Sequence, residues 1–322
     1  MHVLMLTSEW SLPQNTGQAP FVARQAEFLR RNAIDVDVFH FRGAMKPNNY
    51  LVAWWQVRRK LRSRKYDLIH AQFGQSGILA YPKILPVVVT FRGSDVLGII
   101  GSNGQCTVRG QLLRCASWLV GYFADEVVVV SETLKQFLPS RPVNVIPSGV
   151  DLDLFHSYPK EEARRRVGLP SDKTFVLFAA SPDNPVKRYA LAEDAMRCLV
   201  DEYQSNAELV VASGAPYVDM PLYMSACDVL LVTSLHEGSP NVVKEALACD
   251  LPVVSTDVGD VRERIRGVPG CEIVAASPQE IARALHRILL KGERTNGRCA
   301  VLNLDESVLT QRLIRIYERL VK

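Results

Sequence analysis

The chain has 322 residues, too many for one ordinary domain and suited to two of about 150. Apolar residues make up 48% and charged residues 22%, the balance of a water-soluble globular protein, and a net charge of only +4 argues against a nucleic-acid binder. Seven cysteines occur without a CxxC pair, there is no basic leader with a cleavage site, and no run of about 18 apolar residues, so the expectation is a cytoplasmic, non-spanning protein.

His2–Ser8 reads as a first, apolar strand, and the polar segment that follows as a loop. Phe21–Asn32 has helical spacing, with Phe21, Phe28 and Leu29 on one face, and Ile34–Phe41 alternates as a second strand. A strand, loop, helix and strand in this order open a mostly parallel sheet, and the loop containing Gly17 and Gln18 lies where such sheets hold ligands. Between 46 and 65 there are seven basic residues and no acid, interleaved with Leu51, Trp54, Trp55, Val57 and Leu61. Two readings fit: a basic helix lying on an anionic membrane through Arg58, Arg59, Arg62 and Lys65, or a crossover helix packed on the sheet. Tyr66–Gly74 and Val87–Asp95 are strands opening into polar loops, which puts His70, Gln72, Arg92 and Asp95 at the ligand edge. Arg92 suits either an anionic group or a clamp with Asp95. Leu97–Gln105 is glycine-rich, Arg109–Phe123 helical, and Ala124–Leu138 a strand, a Ser131 cap and a short helix. Pro142–His156 closes the first domain, and the polar stretch after it fits a hinge.

In the second half, Thr174–Ala180 is a buried strand, and after a turn Lys187 or Arg188 opens a helix through Leu199. Ala207–Gly214 is a strand and Tyr217–Ala226 a short helix. Asp228–Ser234 is another buried strand, followed by a turn and a helix over Asn241–Cys249, with Ser239 as its cap and Pro240 at its first position. Asp250 ends this helix, Pro252 prevents its continuation, and a further buried strand follows. Glu237 lies in the turn and Glu245 on the helix, eight positions later. Free N–H groups at a helix start attract phosphate, and a carboxylate beside them can accept from sugar or ribose hydroxyls; both glutamates could instead be solvated. Cys271–Ala275 is a short strand, Ser277–Leu290 a helix with a Ser277/Glu280 capping box, 291–303 a loop, and Asp305–Lys322 an amphipathic helix. Asp35-x-Asp37 and Asp151-x-Asp153 read as strand-start and loop residues, so no metal site is expected.

The string EGSPNVVKEALACDLPVVSTDVG, from Glu237 to Gly259, resembles the donor-site signature of glycosyltransferase family four, retaining enzymes of the two-domain GT-B fold. The resemblance implies an α/β protein with two Rossmann-like domains facing a cleft: 1–150 for the acceptor, 151–304 for the nucleotide sugar, and a helix over 305–322 packing back on the first. It implies that Glu237 contacts the transferred sugar and Glu245 the ribose, with Gly238, Ser239, Pro240 and Asn241 around the donor. Lys187 would grip the diphosphate, with Arg188 substituting for a family arginine that corresponds to Pro182, and Gly17 would approach it by its backbone. The chain departs from the family at Gln18 (glycine), Gln72 and Arg92 (histidines) and Ser148 (asparagine), so the acceptor-side set His70, Gln72, Arg92 and Asp95 matches only in part. The implied reaction moves a hexose from a nucleoside-diphosphate sugar, a UDP-sugar by expectation, to a saccharide or lipid-linked saccharide. It needs no cofactor, metal or nucleic acid, and it would run in the cytoplasm or at the inner membrane face. The rival class is a non-catalytic nucleotide-sugar-binding or assembly subunit; a phosphorylase would need a longer chain and a pyridoxal-binding lysine.

Overall fold

A computed structural model describes residues 1–10, 20–43, 46–99 and 106–322. In chain order the elements are β1 (His2–Thr7), α1 (Pro20–Arg31), β2 (Asp35–His40), α2 (Pro47–Ser63), β3 (Leu68–Gln72), α3 (Gly74–Gly77), β4 (Val87–Phe91), α4 (Ser94–Leu97), α5 (Val108–Phe123), β5 (Glu126–Val129) and β6 (Asn144–Val145). There follow α6 (Lys160–Val167), β7 (Thr174–Phe178), α7 (Tyr189–Tyr203), β8 (Ala207–Val211), α8 (Met220–Ala226), β9 (Val229–Val232), α9 (Asn241–Ala248), β10 (Val253–Thr256), α10 (Val261–Arg264), β11 (Glu272–Val274), α11 (Pro278–Lys291), α12 (Gly297–Val301) and α13 (Glu306–Val321). The chain divides into two units, Met1–Gly149 with Glu306–Lys322, and Val150–Asp305.

The first unit is a parallel sheet in the order β2-β1-β3-β4-β5-β6. Strands buried on both faces need near-continuous apolar runs, and Val3–Leu6 of β1 and Val87–Val89 of β4 supply them. The period of two then sorts the core. Val3 and Met5 pack with Val22, Ala26 and Leu29 of α1 and with Leu309, Leu313 and Tyr317 of α13. Leu4 and Leu6 pack with Ala53 and Val57 of α2 and Val120 of α5. The second unit repeats the plan with the order β11-β10-β9-β7-β8. Val176 and Phe178 face α7 and α11, while Phe175 and Leu177 face α8 and α9.

Local structure differs from the sequence expectations in several places. Ser131, Ser239 and Ser277 all precede helical turns, yet none caps its turn. Each hydroxyl meets another partner, Thr133, Asp260 and Gln279 respectively, at 2.9 Å. Pro240 is therefore the residue before the first turn of α9, not its first member. The expected loop 291–303 contains α12, too short to show a period; it forms because Gly297 lets its backbone lie on Leu247 of α9, where a Cβ would come within 3.0 Å of the Leu247 Cα. Asp250 ends α9 in the left-handed region, at φ 54.

Helix α2 covers the sheet, and this changes the reading of its charges. Arg58 is buried, donating to the carbonyls of Leu79 and Pro82 at 3.1 and 2.9 Å, and Trp54 Nε1 donates to the Tyr81 carbonyl at 2.7 Å. Arg58 thus belongs to packing, not to a surface-facing set; Arg59, Arg62 and Lys65 stay exposed.

The two crossings of the chain between units are gripped inside the first unit by Arg24. It donates to the Gly149 carbonyl at 2.6 Å and to Glu306 Oε2 at 3.1 Å, with both side chains of the ion pair buried. Gly149 is required here, since a Cβ would lie 2.7 Å from the Glu306 Cα. Removing one partner strands a buried charge, so Glu306→Ala should destabilise the first unit by about 3 kcal/mol. Arg24→Met with Glu306→Leu should recover most of that loss. Urea unfolding followed by hydrogen exchange in β1 and β3 reads both; equal losses for single and double variants would refute the ion-pair account.

Candidate functional site

The second unit gathers its polar side chains where β7, β9 and β10 end. After β7 a single 3₁₀ turn, Pro185–Lys187, is closed by the Asn184 side chain, which accepts from the Val186 N–H at 3.1 Å. This turn is tied to the end of β9. The Leu235 N–H donates to the Val186 carbonyl at 2.8 Å, and Thr233 Oγ1 donates to the carbonyls of Lys187 and Arg188 at 2.7 and 3.1 Å. The tie delivers Lys187 Nζ to 2.6 Å from Glu237 Oε1, both side chains partly exposed. Neither Lys187 nor Arg188 opens the helix as expected: Lys187 ends the 3₁₀ turn, Arg188 is left-handed at φ 52, and α7 starts at Tyr189. The Arg188 guanidinium makes no hydrogen bond or ion pair among the described residues.

Glu237 is followed by Gly238, Ser239 and Pro240, then α9, whose first-turn N–H groups receive no side-chain cap among the described residues. Ser239 is turned away to Asp260, which also pairs with Arg264 at 2.8 Å, and the fully buried Lys244 donates to Ser239 Oγ at 3.2 Å. The loop after β10 closes on this one. Gly259, at φ +56, packs its Cα against the carbonyls of Glu237 and Gly238, where a Cβ would come within 2.9 Å of the Gly238 oxygen. One turn into α9, Glu245 is nearly buried and accepts a hydrogen bond from the Tyr217 hydroxyl at 2.6 Å. The Tyr217 ring lies 5.3 Å from that of Phe155. Asn241, partly buried at the helix start, lies between the two glutamates in sequence.

In the first unit, the four acceptor-side candidates form one network beneath the ends of β3 and β4. His70, Gln72 and Asp95 are wholly buried. His70 Nε2 meets Thr90 Oγ1 at 2.8 Å and Nδ1 meets the Tyr317 hydroxyl at 2.6 Å. Gln72 donates to Gln25 Oε1 at 2.7 Å and accepts both Nε and Nη2 of Arg92, at 3.0 and 2.6 Å. Arg92 also donates to Ser148 at 2.6 Å and lies 4.6 Å from the Phe21 ring. Asp95 accepts the backbone N–H groups of Gly74, Arg92 and Gly93. Of the two readings of Arg92, the side-chain clamp with Asp95 is replaced by a backbone one, because three N–H groups already satisfy the carboxylate. Burial lowers the Arg92 pKa to about 10 and raises that of Asp95.

Known proteins resemble this chain in sequence and in fold. A model described as Glycosyltransferase Family 4 matches residues 15–154, and one described as Glycosyl transferases group 1 matches 191–291. The chain belongs to the family 4, group 1 glycosyltransferases. TuaC of Bacillus subtilis, provisionally named a teichuronic acid biosynthesis glycosyltransferase, is 29% identical over 71% of this chain and 62% of its own. The D-inositol 3-phosphate glycosyltransferase of Thermobispora bispora is 26% identical over 70% of this chain and 63% of its own. The chain thus spans about three fifths of the length of the curated relatives it matches. Among solved structures, sucrose-phosphate synthase from Thermosynechococcus elongatus superposes with a TM-score of 0.80 at 19% identity, covering 99% of this chain and 98% of that one. Anabaena Alr3699/HepE in complex with UDP-glucose superposes at 0.74 with 19% identity, covering 99% and 100%. The fold is that of the two-domain GT-B glycosyltransferases.

Of the residues that the family resemblance singled out, the structure brings Lys187 to Glu237 and holds Gly238–Asn241 between Glu237 and Glu245. Gly17 lies outside the described residues. Sequence reasoning missed Tyr217, Gly259, Asp260 and Lys244 in the second unit, and Gln25 and Tyr317 in the first. Gly259 carried a signal, as a glycine just past a strand; the others become visible only when the strands are in register.

His70 supplies a prediction. Burial, aided by the Arg92 charge, lowers its pKa to about 3, so the imidazole is neutral in the folded chain. The unfolded chain takes up a proton at about pH 6.5, which makes stability fall as pH drops from there towards 3, by up to about 1.4 kcal/mol per pH unit. The His70 ring signals in NMR should not move down to pH 5; a titration centred near 6.5 would refute the assignment.

Proposed function

We propose that this chain is a retaining glycosyltransferase that moves a hexose from a nucleoside diphosphate sugar, a UDP-sugar first, to a saccharide or lipid-linked saccharide hydroxyl. The observation that carries the proposal is the grouping of Lys187, Glu237, the uncapped start of α9 and Glu245 in one stretch of the second unit. An ammonium has three donors, and Glu237 takes one from Lys187. The others can reach a diphosphate oxygen, so a single side chain would join the sugar-side carboxylate to the leaving group. The N–H groups of α9 add fixed positive charge to the same anion. Glu237 would accept from hexose hydroxyls and Glu245 from the ribose diol, with Tyr217 holding Glu245 in place.

In the reaction the bond between the anomeric carbon and the diphosphate oxygen breaks as the acceptor oxygen bonds to that carbon from the same face. The acceptor proton leaves with the diphosphate, and Lys187 with the helix N–H groups stabilises its growing charge. Support for UDP comes from the HepE complex named above, whose ligand is UDP-glucose. Support for a saccharide acceptor comes from the TuaC name, which assigns that protein to teichuronic acid biosynthesis. Because His70, Gln72 and Asp95 are buried in their own network, their part in acceptor binding would be to hold Arg92, the partly exposed member. Incubation with a panel of UDP-, GDP- and ADP-sugars tests the whole reading: slow nucleotide release supports a transferase, and tight binding with no turnover on any donor or acceptor supports a binding subunit.

Two narrower outcomes follow. Glu245→Ala should weaken UDP by one to two decades, the equivalent of one charged hydrogen bond at about 1.5–3 kcal/mol. Titration calorimetry should also find that the wild-type preference for UDP over 2′,3′-dideoxy-UDP is lost in the variant; a retained preference would remove Glu245 from the ribose. Turnover should persist in excess EDTA, since Lys187 and the helix N–H groups would do the work of a divalent ion on this reading. Loss of turnover restored by magnesium or manganese would reverse that assignment.

A further inference from the structure

On the face of the first unit that carries α2 and α5, apolar surface is left uncovered to an unusual extent. Trp55 of α2 is 66% exposed, and Val108 and Leu112 of α5 are 73% and 63% exposed. Further along α5, Trp118, Leu119, Tyr122 and Phe123 are exposed as well. Scattered exposed apolar residues need no explanation, but a contiguous apolar face on two neighbouring helices does. The two helices wall a single groove of about 480 Å³, lined by Leu51, Trp54, Ile78, Leu79, Leu112 and Leu113 and almost wholly apolar.

Charge identifies the occupant. Helices α2 and α5 together contain six basic residues and no Asp or Glu, more than the entire net charge of +4. Arg58 is spent on carbonyls inside the unit and Lys60 on Asp37, at 2.9 Å. Arg59 and Arg62 of α2 and Arg109 and Arg114 of α5 stay exposed, and Lys65 follows just beyond α2. A second copy of the chain meeting this face symmetrically would set these cations against their own images. Apolar side chains with two tryptophans, rimmed by cations, instead match the boundary between acyl chains and anionic headgroups.

We propose that the α2–α5 face is a membrane-docking surface: Trp55, Leu112, Trp118 and Leu119 enter the acyl boundary of an anionic bilayer, the groove takes up acyl-chain carbon, and Arg59, Arg62 and Arg109 meet headgroup phosphates. This surface stands independently of the transferase reading, because its test involves no nucleotide or sugar.

The test is flotation of the full chain with vesicles. Wild type should float with phosphatidylglycerol–phosphatidylcholine vesicles at low salt, and at least tenfold less with phosphatidylcholine alone or in 0.5 M NaCl. Trp55→Glu with Leu112→Glu, and separately Arg59→Ala, Arg62→Ala and Arg109→Ala together, should each reduce flotation at least tenfold while the melting curve is unchanged. A measurement without variants runs alongside: acyl-brominated lipid should quench tryptophan fluorescence of the wild-type chain. Wild type that stays at the bottom of the gradient with anionic vesicles, or flotation without quenching, overturns the proposal. So does a wild-type dimer in sedimentation velocity that Trp55→Glu with Leu112→Glu dissociates, since the occupant is then a second copy.

Discussion

Parallel strands share one carboxyl edge, and the polar chemistry of the second unit depends on that constraint. Each strand must hand the chain to a crossover at the same edge, so the loops after neighbouring strands meet whatever their distance in sequence. The sheet order places β10, β9 and β7 side by side, with Leu177 opposite Leu230 and Val254 opposite Leu231. Lys187, Glu237 and Gly259 each lie in the loop after one of these three strands. Their contacts follow from the order: the Thr233 and Leu235 bonds bind the first loop to the second, and the glycine Cα lets the third approach the carbonyls of the second. A side chain at Gly259 would force these loops apart even if Lys187 and Glu237 were untouched.

The first unit obeys the same constraint but fills its edge differently. Gln72 at the end of β3 and Arg92 just past β4 come together as Lys187 and Glu237 do, yet here the polar groups are consumed by one another. Gln72 is suited to that role. Its amide donates to Gln25 on one side and accepts the Arg92 fork on the other, where a carboxylate could only accept and an imidazole could not accept two donors. The burial that lowers the pKa of Arg92 is offset by Ser148, Gln72 and the Phe21 face. A network with every member satisfied holds one geometry, so the largely buried guanidinium is a fixed cation, not a mobile one.

The sequence disclosed the pattern of strands because parallel strands leave a strong mark, a near-continuous apolar run bounded by turns. It disclosed Glu237 and Glu245 because their spacing across a strand-to-helix turn matches a known signature. It did not disclose the pairing of Lys187 with Glu237, which depends on the position of β7 beside β9, nor the three failed serine caps, which depend on where each hydroxyl finds a nearer partner. The basic run in α2 was the clearest case of a signal with two sources. Arg58 and Trp54 face inward to carbonyls, while Arg59, Arg62 and Trp55 face outward, and only a helix placed against a sheet separates them.

Helix α13 joins these arguments, because the first unit is incomplete without it. Leu309, Leu313 and Ile316 cover the sheet face that Val3 and Met5 present, and Tyr317, wholly buried, closes the polar network on His70. Glu306 at its start neutralises Arg24. Without α13, one ring nitrogen of His70 and the Arg24 charge would both lose a partner, and burial without partners is costly. The first unit is therefore a product of two distant stretches of chain, and its platform for Arg92 forms only after the second unit has been traversed in sequence. Continuity along the chain and integrity of the core draw the boundary in different places here, and the Arg24 ion pair lies where the two meet.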